Sequence, residues 1–205
     1  MLEEYKLQVE QGFVYGRFYG EVSDPLVLGI HGLSKRNGWH TWQSLLEPLG
    51  GDGFLALSID MPGWGQSTTW GEEPLKVDDA IECICLIADD LKKDKIVLMG
   101  KSWGGAIAIQ AALDQPELIA GLILTAPAFL QFEQLSDIKQ PVLLVWAQDD
   151  PVLPVYFANK FQNLLRNSAL IIYDSGGHNA APANSSDFAP KAVEFLRSIS
   201  EFSER

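Results

Sequence analysis

The chain has 205 residues, of which 47% are hydrophobic and 20% are charged, a composition typical of a globular protein; we therefore expect residues 1–205 to form one domain. Its formal net charge of -12 disfavours nucleic acids and anionic membranes as partners. No apolar run reaches the roughly 18 residues needed to span a bilayer, so a membrane-spanning protein is also disfavoured.

Apolar runs of strand length alternate with stretches of helical periodicity along the chain. The first two runs, 6–9 and 13–18, are separated by a turn and predict a β-hairpin. Further strands are predicted over 26–30, 54–59, 95–99, 122–125, 141–146 and 170–173, and helices over 42–49, 77–91, 103–113, 155–165 and 188–199.

Most of these strands are continuous runs of Val, Ile and Leu without alternation, which indicates strands that are covered on both faces. Right-handed crossovers then give a doubly wound, mostly parallel α/β sheet flanked by helices. Ligands of such sheets bind at the carboxyl ends of the strands, so functional residues are expected directly after the apolar runs.

The N-terminal segment Met1-Leu2-Glu3 has neither the basic start nor the apolar stretch of a signal peptide, so we expect the chain to begin here and to be cytoplasmic. The two cysteines, Cys83 and Cys85, are two positions apart in a helical pattern and point to different faces. We expect both to be reduced, in or near the core, and we expect no metal and no cofactor.

A Gly-x-Ser-x-Gly motif, Gly100-Lys101-Ser102-Trp103-Gly104, stands between a predicted strand and a predicted helix. In this context the turn holds a nucleophilic serine above the sheet, and larger residues at positions 100 and 104 would collide with neighbouring backbone. The alternative is a plain strand-to-helix turn whose serine caps the helix.

A serine nucleophile needs a base, and the chain has three histidines: His31, His40 and His178. The first two lie between the first parallel strand and its helix, whereas His178 follows the last strand on a glycine-containing loop. His178 is therefore the candidate base. The carboxylate that orients it is expected at another strand end, where Asp149 and Asp150 stand.

Four motifs in this order carry a resemblance to the α/β-hydrolase superfamily, in its small capless serine-hydrolase form. They are His31-Gly32, the loop from Asp60 to Ser67, the turn at Ser102, and Asp150-Pro151 followed by Gly177-His178. The resemblance covers essentially the whole chain and implies a catalytic triad of Ser102, Asp150 and His178. Asp149 remains the second candidate acid, or else a solvated loop carboxylate.

The same resemblance implies an oxyanion hole made of the backbone N–H groups of Leu33 and Trp103. His31 is then expected to shape this loop through hydrogen bonds, and His40 to lie at the surface. A serine at the turn disfavours the dehalogenase and epoxide-hydrolase branches, which resemble this family but carry aspartate there.

The connection over 126–140 is too short for the helical cap that many relatives insert, so an open pocket is expected. Aromatic residues near strand ends are candidates for its wall: Trp64, Phe129, Phe132 and Trp39. The alternative for Phe129 and Phe132 is that they cover the edge of the sheet, and for Trp42, Trp103 and Trp146 that they pack loop bases onto the sheet.

These expectations amount to a serine carboxylesterase that acts on a small neutral or apolar substrate. An amide or thioester deacylase, or an acyltransferase, would use the same residues. A third possibility is a non-catalytic binding protein that keeps the fold.

Overall fold

The computed structural model describes residues 1–71 and 74–200. Its centre is a sheet of eight strands: β1 (Glu3–Val9), β2 (Gly12–Tyr19), β3 (Leu26–Ile30), β4 (Leu55–Asp60), β5 (Ile96–Lys101), β6 (Ile119–Thr125), β7 (Val142–Ala147) and β8 (Ser168–Tyr173). Their order across the sheet is β1-β2-β4-β3-β5-β6-β7-β8. The two pairings made by β2 are antiparallel and all others are parallel, which confirms the expected mostly parallel sheet.

Within residues 1–71 and 74–200, six α-helices accompany the sheet: α1 (Gln43–Gly51), α2 (Val77–Asp90), α3 (Trp103–Asp114), α4 (Tyr156–Leu164), α5 (Ala180–Ala183) and α6 (Ser185–Ser198). Buried residues of α2, α3 and α4 pack on one face of the sheet, and those of α1, α5 and α6 pack on the other. The strands are therefore covered on both sides, as their continuous apolar runs predicted.

Strand β5 shows how this covering works. Ile96 and Leu98 belong to the core on the α2/α3/α4 face, whereas Val97 and Met99 belong to the core on the α1/α5/α6 face. Alternate side chains of a strand point to opposite faces, so both sets must be apolar. The last residue of β5, Lys101, is an exception, since it is charged and only 6% exposed.

The chain reverses its winding direction at β3. Strand β4 lies on one side of β3 and β5 on the other, and both pairings are parallel. A crevice forms at the carboxyl ends of strands where the winding reverses, and this places the loops after β3 and β5 next to each other.

The sequence prediction differs from the structure mainly in the last third of the chain. Helix α5 and the 3₁₀ helix Gly177–Asn179 that precedes it were not predicted. Their local signal is weak because Pro182 stands inside α5 and Gly176 and Gly177 precede it with positive φ angles. Strand β6 begins earlier than predicted, since Gly121 lies inside the strand rather than before it.

The connection between β6 and β7 holds one 3₁₀ helix, Phe132–Asp137, and no cap domain, as expected. The expected domain of 1–205 includes residues 72–73 and 201–205, which lie outside the described residues. Within the described ranges, no helix combines the length and the apolar character that crossing a bilayer requires.

Candidate active site

Ser102 occupies a strained turn between β5 and α3. Its backbone φ and ψ angles are 54° and -115°, a conformation that residues other than glycine rarely adopt. The turn is tight: a Cβ atom on Gly100 would lie 2.5 Å from the carbonyl oxygen of Gly104, and one on Gly104 would lie 2.5 Å from that of Ile30. The expected steric need for both glycines is confirmed.

His178 lies in the 3₁₀ helix after β8 and contacts Asp150. The distance from its Nδ1 to Asp150 Oδ2 is 2.8 Å, so Nδ1–H donates to the carboxylate. The side chain of Asp150 is fully buried, and that of His178 is 16% exposed. The other ring nitrogen, Nε2, is buried and has no hydrogen-bond partner among the described residues, which leaves it available as a proton acceptor.

Asp150 is held by its own loop as well. Its Oδ1 accepts backbone N–H bonds from Val152 at 2.8 Å and from Leu153 at 2.9 Å. Both carboxylate oxygens are thus engaged, and the one facing the histidine cannot rotate away without breaking these bonds.

Asp149 has a different role from the one expected of a solvated carboxylate. Its Oδ1 accepts a 2.8 Å hydrogen bond from the backbone N–H of Gly177, the residue before His178. Between the two neighbouring carboxylates, Asp150 therefore contacts the imidazole and Asp149 anchors the loop that carries it.

The loop after β3 lies against Ser102. A Cβ atom on Gly32 would be 3.6 Å from Ser102 Cβ. The backbone N–H groups of Leu33 and Trp103, the two expected oxyanion donors, have no hydrogen-bond partner within the described part of the chain. Unpartnered donors flanking a serine are what an oxyanion hole requires.

His31 connects this loop to the loop after β4. Its Nδ1–H donates to the carbonyl of Gly32 at 2.8 Å, and its Nε2 accepts from the backbone N–H of Met61 at 3.1 Å. Burial lowers the pKa of His31 from its ordinary value of 6.5 to about 4, so the ring is neutral at pH 7. It shapes the loop, as expected, and His40 is exposed.

Asp60 at the end of β4 was not predicted as a site residue. Its carboxylate accepts backbone N–H bonds from Trp39 at 2.7 Å and from Gln66 at 2.9 Å, so it holds together the loops after β3 and β4. Gly65 is needed beside it, because any Cβ atom there would overlap the carboxylate. The pattern Asp60-x-Pro62-Gly63-x-Gly65 is visible in the sequence as a motif. It does not indicate that the Asp60 carboxylate binds the backbone of two loops.

Trp64 is not the rim residue that we expected. It is 3% exposed and stacks on Trp103 with ring centroids 5.1 Å apart. Its Nε1–H donates to the carbonyl of Leu33 at 3.1 Å. Burying an indole ring is less costly when its N–H group has a hydrogen-bond acceptor, and here the Leu33 carbonyl is that acceptor. Trp64 therefore stabilises the loop that contains Leu33, through this hydrogen bond and through its stacking on Trp103.

The other three predicted wall residues lie in different places. Phe129 lines a cavity of about 220 Å³ beside Trp103, together with Ala106 and Leu130. Phe132 instead packs on the aromatic residues of α4, with its ring 5.6 Å from that of Phe161. Trp39 is half-buried on the α1/α5/α6 side and does not line this cavity.

The cavity is lined by Trp103, the residue after Ser102, whereas Ser102 and His178 are not among its lining residues. Ala128, which also lines it, donates its backbone N–H to the carbonyl of Ser102 at 2.9 Å. Most of its lining is apolar, and Gln110 contributes a polar side chain.

Comparisons with known proteins agree with this fold. A family model described as the alpha/beta hydrolase fold matches residues 25–137, and one described as TAP-like protein matches residues 125–200. A crystal structure of a predicted CIB-like hydrolase from Thermoplasma acidophilum superposes with a TM-score of 0.87. It covers 96% of this chain and 98% of that chain at 26% identity.

Two curated relatives match most of the chain. Mouse ABHD14A is 27% identical over 155 residues, which are 73% of this chain and 62% of that protein. The rat protein named putative protein-lysine deacylase ABHD14B is 25% identical over 182 residues, which are 84% of this chain and 83% of that protein. Mouse epoxide hydrolase 4 is 35% identical over 105 residues, but these are 28% of its length.

Proposed function

Since the chain belongs to the α/β-hydrolase fold family, we propose that it is a serine hydrolase that cleaves a carboxylic ester, or a related acyl bond, of a small neutral or apolar substrate. The observation that carries this proposal is the pair of Asp150 and His178. Its Nδ1 contact of 2.8 Å fixes the imidazole, and the buried Nε2 has no partner.

The proposed reaction has two steps through an acyl-enzyme. Ser102 Oγ attacks the substrate carbonyl while its proton passes to His178 Nε2, and the imidazolium then protonates the leaving alcohol. Asp150 stabilises the imidazolium. Water, deprotonated by His178, attacks the acyl-enzyme and releases the acid and the free serine.

Charge develops on the carbonyl oxygen in both steps. The N–H groups of Leu33 and Trp103 are proposed to bind it. Removal of one such donor from a hydrolase costs about 10²- to 10³-fold in kcat. Trp64 and His31 would support this hole indirectly, since both bind backbone of the loop that contains Leu33.

The surroundings of Ser102 favour an apolar acyl group. The cavity beside Trp103 holds about 220 Å³, and the connection that could cover it is short. Leu130, which lines this cavity, is 74% exposed. A site of this kind binds through contact area rather than through charge.

A second candidate is hydrolysis of an N-acyl amide. The relative named putative protein-lysine deacylase matches 84% of this chain, and an uncapped site would admit an acylated side chain of another protein. The epoxide-hydrolase relative is less informative, because serine rather than aspartate stands at the turn.

The test is labelling with a fluorophosphonate probe, followed by mass spectrometry of the intact protein. We expect one adduct on the wild-type protein, none on Ser102→Ala, and a normal adduct on the control Ser136→Ala, whose serine lies in the 3₁₀ helix Phe132–Asp137. Well-folded protein without an adduct would contradict the proposal and favour a non-catalytic role.

Rates on matched acetyl, butyryl and octanoyl esters and on peptides with N-acetyllysine or N-butyryllysine then separate the two candidates. Ester turnover without peptide deacylation supports the esterase. The reverse supports the amide hydrolase.

A further inference from the structure

Lys101 is a buried lysine that the proposed reaction does not use. It is the residue before Ser102 and the last of β5, and it is 6% exposed. Burying an ammonium group is costly unless it is paired or hydrogen-bonded. Its Nζ donates to Oδ1 of Asn179, the residue directly after His178.

This contact joins two parts of the sheet that are far apart. The loop of His178 follows β8, which lies three strand spacings from β5, about 14 Å. For His178 to act on Ser102, the loop must fold back across the carboxyl ends of β7 and β6.

The other described side-chain anchors of this loop do not come from β5. Asp150 binds His178 and Asp149 binds the N–H of Gly177, and both carboxylates belong to the loop after β7. Lys101 alone among the described residues connects the loop to the strand that carries the nucleophile.

We propose that Lys101 is a positioning residue, which holds Asn179 and thereby fixes the distance and angle between His178 Nε2 and Ser102 Oγ. This inference rests on the proposed function of Ser102 and His178. It predicts that the Lys101–Asn179 contact contributes to the chemical step and little to substrate binding.

Lys101 interacts electrostatically with residues of the candidate site. Burial lowers the pKa of its ammonium below the ordinary value, and the carboxylate of Asp150 acts in the opposite direction. Lys101 also acts on His31, whose pKa it helps to lower. The ammonium thus binds Asn179 in the histidine loop and interacts electrostatically with Asp150 after β7 and with His31 after β3.

The experiment measures ester turnover and the rate of fluorophosphonate labelling in Lys101→Met and Asn179→Ala, with the surface variant Lys139→Met as a matched control. We expect kcat and the labelling rate to fall about 10- to 100-fold in both site variants, because small displacements of reacting groups cost this much. KM should stay within about twofold.

Two further variants separate positioning from general damage. Asn179→Asp keeps an oxygen that can accept from Lys101 and should restore most of the labelling rate. The double variant Lys101→Met/Asn179→Ala should react no more slowly than the slower single variant, because the two substitutions remove the same hydrogen bond. If Lys101→Met fails to fold, Asn179→Ala decides, since Asn179 is an exposed residue.

The outcomes of the two proposals differ. Wild-type protein that is labelled, with site variants labelled equally fast, overturns the positioning role and leaves the serine hydrolase intact. Additive losses in the double variant also overturn it. Wild-type protein that is not labelled overturns both.

Discussion

Asp150 accepts a hydrogen bond from His178 Nδ1 at 2.8 Å, while its second oxygen is bound by the backbone N–H groups of Val152 and Leu153. The neighbouring carboxylate of Asp149 instead binds the N–H of Gly177. Two adjacent acids therefore serve one histidine in different ways, which makes a direct comparison possible.

Asp150→Asn should lower kcat about 10⁴-fold, since an amide can present its NH₂ group to the imidazole and favour the wrong tautomer. Asp149→Asn keeps an oxygen that accepts from Gly177 and should cost less than about tenfold. Steady-state kinetics on one ester checks both variants. Equal losses would show that Asp150 is not the orienting acid.

Stability should fall in mild acid because of His31. Burial lowers its pKa from 6.5 to about 4 in the folded protein, so between these values the unfolded chain binds a proton that the folded protein does not. The free energy of unfolding therefore rises with pH across this window, with a slope of up to about 1.4 kcal/mol per pH unit from this group.

Urea unfolding at several pH values between 4 and 7 measures this slope, and His31→Gln should remove that part of it. The comparison concerns the slopes alone, since the variant is also expected to be less stable at every pH. If the free energy of unfolding of His31→Gln has the same slope against pH as that of the wild-type protein, the acid sensitivity comes from other groups.

Gly104→Ala should destabilise the protein by about 2 to 3 kcal/mol, because its methyl group would overlap the carbonyl oxygens of Ile30 and His31. The matched control is Gly51→Ala at the end of α1, where a Cβ atom would meet nothing within 4 Å. That change should be neutral or stabilising by up to about 1 kcal/mol. Thermal or urea unfolding distinguishes the two, and similar effects would contradict the tight-turn geometry.

Under the proposed function, Ala106→Leu should shift the substrate preference toward esters with shorter acyl groups. Ala106 lines the cavity of about 220 Å³ beside Trp103. The larger side chain should lower kcat/KM for octanoyl esters about tenfold or more relative to acetyl esters, as the lost contacts are worth 1–3 kcal/mol. Ala169→Leu, at an exposed position of β8, is the control. A loss that is equal for all esters would place the acyl group elsewhere.

The fold could be predicted from the sequence because its signals are local. Continuous apolar runs such as 95–99 become strands covered on both faces, and the glycines on either side of Ser102 mark a turn that only small residues permit. The positions of the candidate serine, acid and histidine follow from the rule that loops after parallel strands meet at one edge.

The remaining features depend on contacts between residues far apart in the chain. The burial of Trp64 depends on a carbonyl of Leu33, and the role of Asp60 depends on N–H groups of another loop. The bond from Lys101 to Asn179 joins residues that no periodicity relates. Such pairings become visible only when the loops are placed in three dimensions.

The order of the strands also has a consequence for how the protein matures. Ser102 is translated well before His178, and β6, β7 and β8 must be added to one side of β5 before the two loops can meet. A nascent chain that ends within β8 contains Ser102 and Asp150 but lacks His178, and one that ends within β6 or β7 lacks both Asp150 and His178. The proposed hydrolysis therefore requires that the last strand has been synthesised and has docked on β7.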